Sequence, residues 1–458
     1  MKILILGAGQ VGSSAADHLS REEANEVTVV DRRPNVLREL QDRLDIRTVV
    51  GHAAHPEVLE RAGAGDADIV VALTDTDETN MIACQIAYTM FNTTTKIARI
   101  RSAEYMRATD LFAQDAIPID VRISPEQLVC EYIEQLILYP GTSQVLDFAD
   151  GRVRLVGARA DRDGLLVGQR IATLKEHIPN TEARIAAIYR DGKPMLPEGD
   201  TVIQEGDEVF FIADRKDIRV FMSEMRRLED PVRRVVIAGG GNIGVRLAQA
   251  LEQTNQVKII ERDPKRARHI SEQLNKAIVL VGDAADEDLM LEENIVNVDV
   301  FCGLTNSEEA NILSSMLAKR LGAHKVMALI NRASYVDLVE AGSIDIAISP
   351  QQITIGSLLA HVRRGDVVKV HSLRRGAAEA IEAIAHGEKE NSKVVGRAIE
   401  DIDLPKGAAI VALVRKDKVI IAHHDTVLES GDHVILFLTD RRKIESLEKL
   451  FQVGIGFV

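Results

Sequence analysis

Apolar residues in this chain fall into short runs of strand length, separated by longer stretches with helical spacing. In the first part the strand candidates are Lys2–Leu6, Val27–Val30, Thr48–Val50, Ile69–Leu73, Lys96–Ile100 and a short Pro118–Ile123. Helical patterns lie between and after them, near Gln10–Arg21, Pro34–Arg43, Pro56–Arg61, Asp77–Phe91, Ala103–Gln114 and Glu126–Leu138. Strands covered by helices on both faces read as continuous apolar runs, because neither face meets water. Alternation of such strands with helices predicts an α/β protein built on a doubly wound parallel sheet. Its ligand crevice lies beyond the C-terminal ends of the strands, where strand order reverses.

After Tyr139-Pro140-Gly141 the pattern changes to short alternating strands with turn signals. Val153–Val156, Ile185–Arg190 and Glu208–Ala213 are the clearest, and Arg190-Asp191-Gly192-Lys193 is a hairpin signal. The whole order then recurs. Gly7 returns as Gly239, Asp31 as Glu261, Gly51 as Gly282, Asp68 as Asp299, Thr74 as Thr305 and Asn80 as Asn311. A repeat this long is a tandem duplication of a two-part unit, not a solenoid. The expected fold is two Rossmann-like doubly wound parallel sheets, each followed by a small α+β domain. The expected domains are 1–123, 144–225, 233–350 and 367–458, with the charged segment Met225–Arg234 as linker between the halves. The helical patterns at Ala103–Gln114, Glu126–Leu138 and Gln351–Val362 are candidates for assembly, because apolar faces at the end of such a unit need a partner.

Candidate chemistry gathers at the strand ends. Gly7-Ala8-Gly9-Gln10-Val11-Gly12 matches G-x-G-x-x-G between a strand and a helix, and Asp31 ends the second strand. In that context the motif is a dinucleotide-binding fingerprint. Gly7 permits the tight turn, Gly9 the approach of a pyrophosphate, and Gly12 close packing of helix on strand. Gln10 and Val11 open the helix toward the phosphates, and Asp31, flanked by Arg32, suits the adenosine ribose. Gly51 and His52 follow the third strand at the adenine edge. Leu73, Thr74 and Asp75 follow the fourth, near ribose or phosphate. Arg99 and Arg101 close the fifth strand on one face, and each suits either a phosphate or a surface ion pair. The second copy offers Gly239, Gly241, Asn242, Ile243, Gly244 and Glu261, then Gly282, Asp283, Ala284, Thr305 and Asn306. Its fifth-strand arginine looks displaced. The run from Lys325 to Arg332 reads as one residue longer than its counterpart, and Arg332 lines up with Ser102 or Arg101. The second site is then expected to hold phosphates differently or to take another nucleotide. An acid after the second strand opposes a 2′-phosphate, so NAD(H), ATP or ADP fit better than NADP.

Composition narrows the function. A formal net charge of −14 argues against a nucleic-acid surface or a polybasic membrane anchor, and 3% aromatic residues without Trp argue against base-stacking platforms. No run approaches the roughly 18 apolar residues of a membrane span, and the chain enters a strand directly, without a signal peptide. Cys84, Cys130 and Cys302 are isolated, which fits buried thiols rather than a metal site or a disulfide framework.

Several stretches carry a resemblance: ILILGAGQVG, TDTDETNMIACQ, KIARIRSAEY, VVIAGGGNIG, KIIERD, GDAADEDL and SKVVGRAI. The half unit resembles the regulator of potassium conductance (RCK) family, and the tandem arrangement is similar to that of the regulatory proteins of bacterial Trk-type potassium uptake. The resemblance covers essentially the whole chain. It implies a protein with no enzymatic or transport activity of its own, cytoplasmic and peripheral on the inner membrane. It further implies a homotetramer beneath a potassium-conducting membrane subunit of the Trk type, with NAD(H) in the first site and ATP or ADP as effectors. The competing reading from the residues alone is an NAD-dependent oxidoreductase. Such an enzyme needs a substrate domain with an acid or base at the nicotinamide, and the second half spends its length repeating the cofactor fold instead.

Overall fold

The computed structural model describes all residues except 23–24, 114, 180–181, 333–334, 337–338, 340–341, 363–366, 374–377 and 453–458. The chain forms two compact units. One comprises Met1–Leu128 with Pro350–Val362, and the other Val129–Ser349 with Arg363–Val458.

The first unit is built on six strands: β1 (Lys2–Leu6), β2 (Glu26–Asp31), β3 (Arg47–Val50), β4 (Ile69–Ala72), β5 (Thr95–Arg99) and β6 (Val121–Ile123). All neighbours are parallel, in the order β3-β2-β1-β4-β5-β6. Order reverses between β1 and β4, where the doubly wound arrangement leaves its crevice. The helix Gln10–Ser20 buries Gly12, Ala15, Ala16 and Leu19, none of them branched at Cβ. The expected helix Ala103–Gln114 is shorter: it runs Ala103–Arg107, then turns 3₁₀ over Thr109–Phe112, and Gln114 lies outside the described residues.

A late segment completes this unit. The helix Pro350–Val362 buries Ile355, Leu358, Leu359 and Val362, packs on Gln10–Ser20 and β6, and donates from Gln351 Nε2 to the carbonyl of Gln10 at 3.2 Å. The sequence offers this helix as an assembly element of the second half. Its apolar face is instead satisfied within the chain, on the helix that follows the first glycine turn.

In the second unit, five antiparallel strands come first: β7 (Thr142–Phe148), β8 (Val153–Arg159), β9 (Ala183–Arg190), β10 (Lys193–Met195) and β11 (Glu208–Asp214), ordered β10-β9-β11-β8-β7. β7 opens two residues before the expected boundary at 144. Another six-stranded parallel sheet follows: β12 (Arg234–Ala238), β13 (Gln256–Glu261), β14 (Ile278–Val281), β15 (Val300–Gly303), β16 (Lys325–Leu329) and β17 (Ile346–Ile348), in the order β14-β13-β12-β15-β16-β17. It repeats the first strand for strand. A last antiparallel sheet holds β18 (Val367–Leu373), β19 (Ala378–Ile384), β20 (Ala408–Arg415), β21 (Lys418–Ile421) and β22 (His433–Leu438), ordered β18-β19-β22-β20-β21. The two antiparallel sheets share one apolar core, in which Phe148, Leu155, Tyr189 and Phe210 of one meet Leu373, Val411 and Phe437 of the other. Within that core the buried Glu382 carboxylate accepts from the amide of Ala149 at 2.9 Å and pairs with His433 Nδ1 at 2.6 Å. The helix Pro125–Leu138 contributes its first turn to the first unit and the remainder to the second, where Cys130 Sγ donates to the carbonyl of Ile243 at 3.4 Å. No helix among the described residues is long and apolar enough to cross a membrane.

Candidate nucleotide sites at the two glycine turns

The first site begins where β1 ends. Gly7 takes φ 104°, and a Cβ there would lie 2.9 Å from the carbonyl oxygen of Leu73 at the end of β4, so the turn from β1 into the helix Gln10–Ser20 admits only glycine. A Cβ on Gly12 would sit 1.8 Å from the Gly7 carbonyl oxygen, so helix and turn can touch only without one. Gly9 differs: its backbone is ordinary for an L residue, and a Cβ built on it meets nothing within 4 Å. The protein itself does not demand glycine there.

Asp31, with its side chain 9% exposed, closes the back of the turn. Its Oδ2 accepts from the Ala8 amide at 2.7 Å, and its Oδ1 from the Arg33 amide at 2.8 Å. The Arg33 guanidinium adds Nε to Oδ1 at 3.0 Å and Nη2 to Oδ2 at 3.2 Å, and also reaches the Ala8 carbonyl at 3.4 Å. Burial alone would raise the Asp31 carboxyl. Arg33 and the two amides outweigh it and hold the group below the usual carboxylate range. Arg32 instead lies in an exposed pair with Asp75 at 3.7 Å.

The other expected residues line the same edge. The Gly51 amide donates to the Asp31 carbonyl at 3.0 Å. His52 stacks on His55 with ring centroids 4.7 Å apart, and its Nδ1 accepts from the Ala54 amide at 3.2 Å. The Leu73 amide donates to the Leu6 carbonyl at 2.8 Å, which ties the end of β4 to β1. Thr74 donates twice to the Asn80 Oδ1, from its amide at 2.9 Å and its hydroxyl at 2.6 Å, while Asn80 Nδ2 donates to the Arg99 carbonyl at 2.9 Å. One fully buried asparagine thus fixes the ends of β4 and β5. Arg101 takes the ion-pair alternative, with its Nε 2.6 Å from Glu126 Oε1, and the Asp77 carboxylate receives its amide at 3.0 Å. Arg99 Nε is buried with no hydrogen-bond partner among the described residues. Burial first, and the neighbouring Arg101 second, lower the proton affinity of Arg99.

The second site repeats this with changed parts. Gly239 takes φ 109°, and a Cβ on Gly244 would lie 2.0 Å from its carbonyl oxygen. A Cβ on Gly241, like one on Gly9, would meet nothing within 4 Å. Asn242 and Ile243 open the helix Asn242–Leu251. Glu261 accepts from the Gly240 amide at 2.8 Å with Oε2 and from the Asp263 amide at 2.8 Å with Oε1. Arg266 Nε reaches the Gly240 carbonyl at 2.9 Å, the place that Arg33 serves in the first site. The Gly282 amide donates to the Glu261 carbonyl at 3.0 Å. Asp283 Oδ1 accepts from the Ala285 amide at 2.9 Å, with Ala284 between them. The Thr305 amide and hydroxyl each donate to Asn311 Oδ1 at 2.7 Å, and Asn306 follows, exposed.

Here one expectation is corrected. Strand pairing sets Ile69 opposite Thr95 and Val300 opposite Lys325, and Asn311 donates to the Leu329 carbonyl at 3.0 Å where Asn80 donates to that of Arg99. Leu329 therefore occupies the place of Arg99. The fifth-strand arginine is replaced, not displaced, and the run Lys325–Arg332 carries no insertion. The net loss of one residue lies earlier: the helix Glu308–Arg320 has 13 residues against 15 in Asp77–Phe91, and the loop before β16 is one residue longer than the loop before β5. Arg332 stands past the strand end, fully exposed, with its Nη1 on Tyr335 Oη at 2.8 Å and 3.9 Å from Glu309.

Four contributors escape a motif-based reading: the clamps Asn80 and Asn311, and the loop-holding Arg33 and Arg266. The asparagines carry a usable signal, since Thr74 and Asn80 recur with the same spacing as Thr305 and Asn311. The arginines carry none, because they occupy different positions in the two halves. No group of three or more His, Cys, Asp or Glu able to hold a metal occurs among the described residues.

Known proteins share this layout. The TrkA-N domain family matches residues 3–125 and 235–350, and the TrkA-C domain family matches 155–226 and 388–452. The chain is 61% identical over 457 residues to the Trk system potassium uptake protein TrkA of Halomonas elongata, with 100% of each chain covered. It is 57% identical over 459 residues to that of Vibrio alginolyticus, again with 100% of each covered. Among solved structures, the GsuK RCK domain superposes with a TM-score of 0.61 at 17% identity, covering 98% of this chain and 94% of that one. The GsuK channel bound to NAD gives 0.61 at 17% identity, covering 97% and 78%. At that identity the likeness is one of fold.

Proposed function

This chain belongs to the TrkA family of Trk-system potassium uptake proteins, and from that premise we propose that it is a nucleotide-sensing gating subunit. It regulates potassium uptake and is not an enzyme. Each chain carries two nucleotide sites: Gly7–Gly12 with Asp31, Thr74 and Arg99, and Gly239–Gly244 with Glu261 and Thr305. Their ligands are NAD(H), ATP or ADP. The partner is a Trk-type membrane potassium-conducting subunit, beneath which the protein assembles as a homotetramer on the cytoplasmic face of the inner membrane. The chain divides into domains 1–123, 144–225, 233–350 and 367–458.

The observation that carries this reading is the open space over Gly9 and Gly241. Gly7 and Gly12 are explained by contacts within the protein. Gly9 and Gly241 are not, and a phosphate lying against the backbone supplies the missing reason. Each helix N-terminus beneath presents free N–H groups and the positive end of its dipole.

Asp31 supplies the coupling. Its oxygens already accept from Ala8 and Arg33, and a ribose diol that bonds Asp31 competes with the guanidinium. Binding then loosens Arg33 from both Asp31 and the Ala8 carbonyl, which gives the two states different contacts. A ligand shifts a conformational equilibrium only through such a difference.

Titration calorimetry of the full-length protein with NADH, NAD, ATP and ADP, repeated on Asp31→Ala and Glu261→Ala, tests the binding. Two separable sites are expected, each abolished by its own substitution, and absence of all binding overturns the proposal. Potassium flux through the membrane partner in proteoliposomes tests the coupling. The nucleotide response is expected to vanish in the double variant, and an unchanged response refutes it.

A further inference from the structure

The two sites differ at one position in a way that their shared motif conceals. Arg99 and Leu329 end equivalent strands, fixed by equivalent asparagine bonds to their carbonyls. Ile5, Val71 and Ile97 form one row across β1, β4 and β5. Two residues on, Gly7, Leu73 and Arg99 continue it. Ile5 Cγ2 lies 3.7 Å from where a Gly12 Cβ would be, so this face of the sheet is the one under the helix Gln10–Ser20. Arg99 therefore projects on the side of the glycine turn, two strands away. At about 4.8 Å per strand that is roughly 10 Å, a gap that an arginine side chain and one further phosphate span together.

Arg99 makes no direct ion pair among the described residues, and the carboxylates of Glu126, Asp77 and Asp75 act on it only from farther off. Its Nε is buried and unpartnered, and no carboxylate stands within ion-pair distance of it among the described residues. The adjacent Arg101 engages Glu126 through Oε1, while Glu126 Oε2 is buried without a hydrogen-bond partner among the described residues. A desolvated guanidinium in this state gains from an arriving anion what a solvated one does not. In the second site Leu329 is 6% exposed and apolar, and the next cation, Arg332, is held outside by Tyr335 and Glu309.

We infer that the residue ending the fifth strand sets the phosphate charge each site accepts: Arg99 makes the first site select a nucleoside triphosphate over a diphosphate, and Leu329 leaves the second site without that selection. This rests on the nucleotide-binding reading above. One protein then registers two different properties of the nucleotide pool.

The test isolates each site in the full-length chain, using Glu261→Ala to leave the first and Asp31→Ala to leave the second. ATP and ADP are titrated calorimetrically into each. The first site is expected to favour ATP by about tenfold or more, the scale of one charge-assisted hydrogen bond. Adding Arg99→Leu is expected to remove that preference, because ATP affinity falls by more than ADP affinity does. Leu is the residue the second half carries at this place, so the fold should tolerate it, and an unchanged melting temperature checks that. Leu329→Arg in the Asp31→Ala background is expected to create an ATP preference at the second site. Nucleotide binding with equal ATP-to-ADP ratios at both sites, or a ratio that Arg99→Leu leaves unchanged, overturns the inference and leaves the nucleotide reading intact. Absence of any binding overturns both.

Discussion

Glu261 Oε2 accepts the amide of Gly240 at 2.8 Å, and a Cβ on residue 240 would lie 2.9 Å from that same oxygen. The first site solves the same problem with a shorter acid and a larger neighbour: Asp31 accepts from Ala8 at 2.7 Å. One methylene in the acid is exchanged for one methyl in the turn. Gly240→Ala is therefore expected to cost about 1–3 kcal/mol by overpacking, since the new methyl also meets Ile270 Cδ1 at 2.5 Å. Adding Glu261→Asp should recover much of this loss. A double-mutant cycle by urea denaturation reads the coupling, and additive effects of the two substitutions would refute the exchange.

Gly9→Ala and Gly241→Ala should separate binding from stability. Both residues precede a helix and have free space around the missing Cβ. The fold should lose less than about 1 kcal/mol, the scale of a changed N-cap. Nucleotide affinity should fall by about tenfold or more, because a methyl occupies the line of approach. Gly12→Ala should do the reverse, destabilising the first unit by more than about 2 kcal/mol, because its Cβ would overlap the Gly7 carbonyl. Thermal melts and calorimetry on all three variants check the contrast.

Asn80→Ala removes a fully buried amide that receives two bonds from Thr74 and gives one to the Arg99 carbonyl. Stranding these groups should destabilise the first unit by about 2–3 kcal/mol. It should also weaken binding at the first site more than at the second. Equal loss at both sites would contradict the local role of the clamp.

His371 supplies a pH dependence. Burial first, and the Lys369 ammonium second, push it down to about 4, against the bond its Nε2 makes to the Asp147 carbonyl. The unfolded chain takes up this proton near pH 6.5, while the folded chain resists until about pH 4. The unfolded state therefore binds more protons over that window, and stability must fall as pH drops through it. Above pH 6.5 both states are neutral at this group, and it contributes no slope. His371→Gln should flatten the stability profile between pH 6.5 and 4, measured by denaturant midpoint.

Much of this architecture is legible in the residues because local signals agree. Lys2–Leu6, the glycine turn and Asp31 each point to the same crossover, and the second copy repeats them. β7 is harder to see. Its register shifts between Thr142 and Gln144, which breaks the alternation that marks a strand, and its turn runs through three consecutive positive-φ residues, Ala149, Asp150 and Gly151. The counterpart of Arg99 at the end of β16 is hard to place for a different reason. In the residues the length change reads as falling at Arg332, whereas strand pairing puts it before β16, where a shorter helix and a longer loop leave no mark in the pattern. Arg33 and Arg266 do one job from non-equivalent positions, and repeat comparison is blind to that.

The helix Pro350–Val362 has a consequence in time. The first unit starts at Met1, yet it is finished by a segment that leaves the ribosome more than two hundred residues after Leu128. At about 5–20 residues per second that is a wait of roughly 10–45 s. During this wait the outer flank of the helix Gln10–Ser20 has no cover from its own chain. A nascent protein truncated before Pro350 is an open molecule, and the emergence of Pro350–Val362 is what closes it.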